Sequence, residues 1–160
     1  MPEMFLKFHD IEGESLDNEH PGEIEIKAWG WKSDAKIDWE RNQGGQCTHA
    51  KYDCVSIEKT VDKASATLLR CCLTGKHIKH AKITCRKNDG DQKIEYLIIE
   101  LNDVMVKSVK WAGVGEEGDL PESIEVECAE FVSHYKLQRD EGEASGGSSF
   151  GFNIQTQVIR

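Results

Sequence analysis

The sequence has no long apolar run. Its longest, Tyr96-Leu97-Ile98-Ile99, is four residues, far short of the ~20 that a membrane-spanning helix needs. Nothing basic precedes an apolar core in Met1-Pro2-Glu3-Met4-Phe5-Leu6-Lys7-Phe8-His9. No secretory signal peptide is therefore expected. Positive charge is in deficit, with 20 Lys and Arg against 29 Asp and Glu, a net −9. That balance argues against a nucleic-acid partner, which needs a basic face. It argues equally against docking on an anionic membrane or inserting into one.

The motifs of common chemistries are also missing. There is no G-x-S-x-G turn to present a serine nucleophile. Gly44-Gly45 and Gly146-Gly147 lack the Lys and Ser or Thr of a phosphate loop. Glu100 and Glu130 come closest to a carboxylate in an apolar stretch, and they read as outward-facing strand residues. Asp10, Glu12, Glu14, Asp17 and Glu19 cluster, but their spacing departs from a calcium loop: Ser15 stands where the loop needs Gly and Pro21 where it needs Glu. They read as a solvated loop.

Zinc ligands are present in kind but not in pattern. Cys47, His49, Cys54, Cys71, Cys72, His77 and His80 include no C-x-x-C pair. Cys71 and Cys72 are adjacent in a helical segment, so their side chains diverge by ~100°. The six Cys are expected to be free thiols of a reducing compartment. Cys72, Cys85 and Cys128 are expected in the core, with Cys47, Cys54 and Cys71 more exposed. The expectation is a protein without catalytic residues, cofactor or metal.

Alternation of apolar and polar residues is abundant and predicts strands. Ile24, Ile26 and Ala28 share a face, and a twist is expected to turn Trp29 and Trp31 inward. Val55 and Ile57 form another apolar face, as do Ala81, Ile83 and Cys85. Asn88-Asp89-Gly90-Asp91 supplies hairpin-turn chemistry. The apolar phase then slips from Leu97, Ile99 and Leu101 to Val104 and Val106, by a bulge in one strand or a tight hairpin. Ile124, Val126 and Cys128 follow, with Phe131 and Tyr135 out of phase, and Phe152, Ile154 and Val158 close the chain.

One helix is predicted near residues 65–75. Ser65 can cap it and Gly75 suits a left-handed residue beyond its end. Ala66, Leu68, Leu69, Cys72 and Leu73 form the expected buried stripe. Lys32–Ala50, with Asp38, Trp39, Glu40, Arg41, Gly44, Gly45 and Cys47, reads as a long polar loop of the kind that carries function. Asp140–Ser149 cannot order itself alone. Residues 1–160 read as one domain, mainly β: an antiparallel β-barrel of two packed sheets with one flanking α-helix. Gly30, between two inward Trp rings, is expected to face away from the core, toward something that approaches closely or as a bulge glycine. A monomeric ligand-binding barrel is one function open to such a fold.

The order of these pieces resembles the haemolysin-coregulated protein family of bacterial type VI secretion. The resemblance begins at Met4-Phe5-Leu6-Lys7-Phe8, Gly13-Glu14-Ser15, Asp17 and His20. It continues through Trp29-Gly30-Trp31, Asp62-Lys63, Ser65 and Gly75-Lys76-His77. Ala81-Lys82-Ile83-Thr84, Arg86-Lys87, Glu95-Tyr96-Leu97-Ile98-Ile99 and Gly151-Phe152-Asn153-Ile154 complete it. It implies six-membered rings of identical subunits stacked into a hollow tube, partnered by a contractile sheath, a spike protein and effector proteins carried in the lumen. It implies assembly in the cytoplasm and export without a signal peptide. A toxin extension is not expected after Arg160. Gly30 is then expected to face the lumen, and the Lys32–Ala50 segment, which departs from the family's Gly- or Ser-rich form, to meet a neighbouring ring. Six copies of a −9 chain carry about −54, so such contacts must set acidic patches against Lys and Arg clusters.

Overall fold

A computed structural model describes residues 3–40, 44–113, 118–138, 144–154, 156 and 158–159. The elements in chain order are β1 (Glu3–Phe8), β2 (Ile24–Glu25), β3 (Ala28–Gly30), β4 (Ser33–Glu40), β5 (Gly44–Tyr52) and β6 (Val55–Thr60). They continue with α1 (Ser65–Thr74), β7 (His77–Asp89), β8 (Gln92–Trp111), β9 (Pro121–Gln138), β10 (Ala144–Asn153) and β11 (Val158–Ile159).

Nine strands form one antiparallel sheet, in the order β11-β10-β9-β8-β7-β1-β2, with β6 joining β9 to β3 off that path. This branch curls the sheet around its apolar face, as the mainly β fold with one flanking helix requires. Leu6, Phe8, Ile24, Ile57, Leu68, Ile83, Ile99, Leu101 and Ile124 fill the interior with essentially no exposure. Burial on that scale supplies the main driving force for folding.

The phase slip in β8 lies within one 20-residue strand. Asp103 takes a left-handed φ of 53° in mid-strand. Inward positions change from Ile99 and Leu101 to Val104 and Val106 across it. The neighbouring strands slip at the same step: Ile78 to Ala81 on β7, and Val126 to Phe131 on β9. Three slips on one transverse line kink the ladder, and such irregularities bend a sheet toward closure. The two-residue turn through Gly90 joins β7 to β8, with Asp89 opposite Gln92.

Other expectations are revised. The Lys32–Ala50 segment is largely a hairpin, with β4 paired to β5 from Ser33↔Tyr52 to Glu40↔Gly44. Ala35, Ile37 and Trp39 alternate with charged residues along β4, and the described β4 side chains are exposed on both faces. Ser65 is the first helical residue; Ala64 occupies the cap position without a side-chain cap. Ser65 Oγ instead accepts from the Asp62 amide at 2.9 Å. Gly75 ends the helix in the left-handed conformation, as expected. The buried helical face is Ser65, Leu68 and Cys71, while Leu73 is 78% exposed. Cys71 is buried and Cys72 half-buried, the reverse of the expected order. Both Trp rings pack on the core as expected: Trp29 Nε1 donates to Cys85 Sγ at 3.3 Å, and Trp31 stacks on Phe131 at 4.3 Å.

Candidate functional site

The β4–β5 ribbon is a two-stranded sheet separate from the main one. Alternation places Ala35, Ile37 and Trp39 on one face of β4. Ile37 and Trp39 remain 54% and 78% exposed. Trp39 lies across the hairpin from Gly45. A Cβ on Gly45 would come within 3.0 Å of the indole, so glycine lets the ring lie flat on the partner strand. At its base Asp53 N donates to Lys32 O, extending the hairpin by one step, and the Tyr52 ring meets Phe152 of β10 at 4.7 Å, which ties the ribbon to the main sheet. A free two-stranded hairpin is marginally stable in water, so the apolar face has something to gain from a cover.

Of the residues expected to act here, Asp38, Trp39, Glu40, Gly44, Gly45 and Cys47 all fall on the ribbon. Arg41 lies outside the described residues. Gly30 ends β3, and its carbonyl accepts from Ser56 Oγ at 3.3 Å. A Cβ there would sit 3.0 Å from the same Ser56 oxygen. The surface at Gly30 is thus already shared with a side chain of its own chain.

The acidic segment after β1 exposes Asp10, Glu12, Glu14 and Glu19 to solvent, as read, while Asp17 turns inward. Gly13 packs so closely on the Glu23 carbonyl that a Cβ would overlap it at 2.5 Å. From this anchor the strap crosses back over the sheet, and Asp17 and Glu19 reach the fully buried Arg86. Glu3 holds the same guanidinium through Nε at 2.9 Å, and the Phe5 ring lies under it at 4.9 Å. Hydrogen bonds from Arg86 hold the Asp17 and Glu3 carboxyls below their ordinary range. In return Asp17, more than Glu3, raises Arg86 well above its usual value despite the opposing effect of burial. This is charge-assisted, multidentate bonding, the strong kind.

Next to it, His20 stacks on Phe5 and contacts Glu23 through Nδ1 at 3.0 Å and Glu95 through Nε2 at 2.8 Å. Among the described residues, Glu19, His20 and Glu95 alone converge as metal ligands do. Both ring nitrogens are already engaged by carboxylates, so the arrangement is a hydrogen-bonded clamp.

A second buried pair joins β6 to β9. Lys59 Nζ lies 2.8 Å from Glu122 Oε1, with neither side chain exposed. Lys59 also donates to Thr60 O, Asp62 Oδ1 and Ser65 Oγ. The contact with Glu122 is close but poorly directed, and neither Glu122 oxygen has a well-formed hydrogen bond. Both networks escaped the sequence because the pairs that close them, Lys59 with Glu122 and Arg86 with Asp17, are 63 and 69 residues apart along the chain; Asp17, His20, Asp62, Ser65, Arg86 and Glu95, quoted in the resemblance, were the hints of them.

Three thiols are shifted away from activation. Burial raises Cys54 and Cys85, and pushes Cys128 up to about 11. A nucleophilic Cys needs the opposite shift. Glu100, read as outward-facing, lies half-exposed between His80 and His134.

This arrangement defines a β-rich protein with a filled interior, whose apolar display sits on a projecting ribbon. Residues 5–135 match the family model described as type VI secretion system effector, Hcp. Protein hcp1 of Pseudomonas aeruginosa is 36% identical over 157 residues, covering 98% of this chain and 97% of that one. Hcp1 from Salmonella typhimurium superposes with a TM-score of 0.79 at 26% identity, over 99% of both chains. A type VI secretion system effector from Yersinia pestis gives 0.77 at 33% identity, over 94% of this chain and 99% of that one. The chain belongs to the Hcp family, and is a type VI secretion protein.

Proposed function

We propose that this chain is the tube subunit of a type VI secretion system. Six copies close into a ring, rings stack into a hollow tube, and the tube travels with a spike protein when a contractile sheath shortens, carrying effector proteins in its lumen. The observation that supports this most directly is the Ser33–Tyr52 ribbon, which displays Ile37 and Trp39 to solvent. An exposed apolar strip on a projecting ribbon fits insertion against another subunit. We assign it to the neighbouring ring, and Gly30 to the lumen side. The subunit performs no catalysis in this role.

A monomeric ligand-binding barrel fits less well. Such a protein needs an apolar cavity within its barrel, and here Leu6, Phe8, Ile57, Ile83 and Leu101 occupy that space. Native mass spectrometry and negative-stain microscopy of the purified protein test the proposal. The expected particle has six times the subunit mass and a central hole. A single-chain particle at every concentration would refute it.

A further inference from the structure

The clamp on His20 is short of hydrogens when its ring is neutral. Glu23 faces Nδ1 at 3.0 Å and Glu95 faces Nε2 at 2.8 Å. A carboxylate brings no hydrogen, so both contacts draw on the ring, and a neutral imidazole has one N–H. With that hydrogen on Nδ1, Glu23 is satisfied and the Nε2 lone pair faces an oxygen of Glu95. A cation between the two would bond both. Among the described residues, neither Glu23 nor Glu95 forms an ion pair with Lys or Arg. Arg86 and Lys93 hold Glu3, Asp17 and Glu19 instead.

The fold aims three ligand atoms at that gap. Asp17 Oδ1 accepts from the Glu19 and His20 amides at 2.9 and 3.2 Å, which fixes these two consecutive residues of the strap. Phe5 stacks on the buried imidazole, with ring centroids 4.5 Å apart. Glu95 arrives from β8 through a bulge. Cys85 pairs with Leu97 and Arg86 with Glu95, so Tyr96 is the extra residue. Strict alternation would put Glu95 on the face of Leu97; the bulge puts it on the face of Arg86.

One ligand atom each of Glu19, His20 and Glu95 lies within 4.8 Å of the other two. Ligands of one zinc ion stand roughly 3–3.5 Å apart, so small side-chain rotations bring these three onto a common centre. Glu19 also meets Arg86 Nη1 at 3.1 Å. When it turns, Glu3 and Asp17 still hold the guanidinium.

We propose that Glu19, His20 Nε2 and Glu95 bind one divalent transition-metal ion of zinc's kind, with Glu23 orienting the ring through Nδ1. One imidazole beside two carboxylates suits zinc better than calcium or magnesium, which take oxygen. A carboxylate behind the second ring nitrogen is the partner that metal-bound imidazoles keep. Three protein ligands leave a position for water. The ion ties the strap to β8 across 75 residues of chain, within a single copy.

Zinc chloride titrated into the full chain, with its thiols reduced, tests this by calorimetry. The wild type is expected to bind zinc and to melt at a higher temperature with it than without. Glu95→Gln keeps the side-chain shape and is expected to bind more than about tenfold more weakly, and Glu23→Gln, which still accepts from Nδ1, roughly tenfold more weakly. His77→Gln, which alters the exposed pair with Asp103, is expected to bind as the wild type does. Nitrogen spectra of the six histidine rings locate the ion in the wild type, so the test survives a variant that fails to fold. The ring in contact with Phe5 is expected to shift as zinc is added. An unshifted His20 ring, or equal affinity in wild type and Glu95→Gln, overturns the site and leaves a second proton to close the clamp. Neither result bears on the tube reading.

Discussion

Arg86 grips Asp17 across 69 residues of chain, Nη1 on Oδ1 at 3.0 Å and Nη2 on Oδ2. This one fork closes the strap over the end of the sheet and buries the guanidinium completely. Burying a cation this way is tolerable only with its partners in place. Arg86→Leu is expected to cost about 1–3 kcal/mol, because the charge-assisted hydrogen bonds to Asp17 and Glu3 are lost while those carboxylates can turn to solvent. Chemical denaturation would measure that loss; a cost under about 1 kcal/mol would mean the strap is held by its backbone bonds alone.

The same cluster sets the acid limit of the fold. Asp17 and Glu3 have folded values held below their ordinary 3.8 and 4.5. A lowered carboxyl contributes stability that is complete above its unfolded value and disappears as pH falls through the folded one. Stability should therefore hold from neutral pH to about 5 and fall below about 4. In Arg86→Leu the fall should be shallower. Thermal melts across that range would show it, and equal slopes in the two proteins would contradict it.

Lys59 and Glu122 give a separate test of buried charge. Lys59→Met leaves Glu122 buried without its cation and should cost about 3–5 kcal/mol. Lys59→Met/Glu122→Leu should recover most of that, since a pair of apolar side chains replaces a poorly directed ion pair. Urea unfolding of the three proteins closes the cycle. A double variant as unstable as the single one would show that the Asp62 and Ser65 contacts of Lys59 matter more.

On the ribbon, fold and assembly should separate. Trp39 is exposed, so Trp39→Ser should leave the thermal midpoint of the subunit within a few degrees, as surface changes usually do, while weakening ring-to-ring association. Gly45→Val places side-chain atoms under the indole, where even a Cβ is at 3.0 Å. It should displace Trp39 and have the same effect. Normal stacking in both variants would remove the ribbon from the contact.

Thiol mapping tests the helix phase. In native protein at pH 8, iodoacetamide should label Cys72 well before Cys71, which is buried, and Cys128, whose burial holds its thiol near pKa 11. Equal rates at Cys71 and Cys72 would mean the helix is rotated from the position described.

The β-rich class, the α1 boundaries and the β7–β8 turn were legible because each rests on local chemistry. Alternation in Ala81, Ile83 and Cys85 follows from the face turned to the core, although Thr84 and Arg86 on the other face are buried as well, and Gly75 and Gly90 both take positive φ. Ribbon β4–β5 was not read as strands although Ala35, Ile37 and Trp39 alternate with charged residues, because a polar stretch with Gly44-Gly45 also fits a loop. The helix face was misjudged too. Leu73 is apolar yet points to solvent, and Ser65 is polar yet buried because Asp62 and Lys59 satisfy it.

What the residues determined alone was the inventory: strands, one helix, abundant acid, and the family pattern running from Met4 to Ile154. Tertiary structure alone decided which charges meet. Arg86 with Asp17, and Lys59 with Glu122, are pairs made by strand order and by a strap folding back. A linear pattern carries no distance between residues so far apart, whereas a backbone turn or a helix stop is written within a few neighbours.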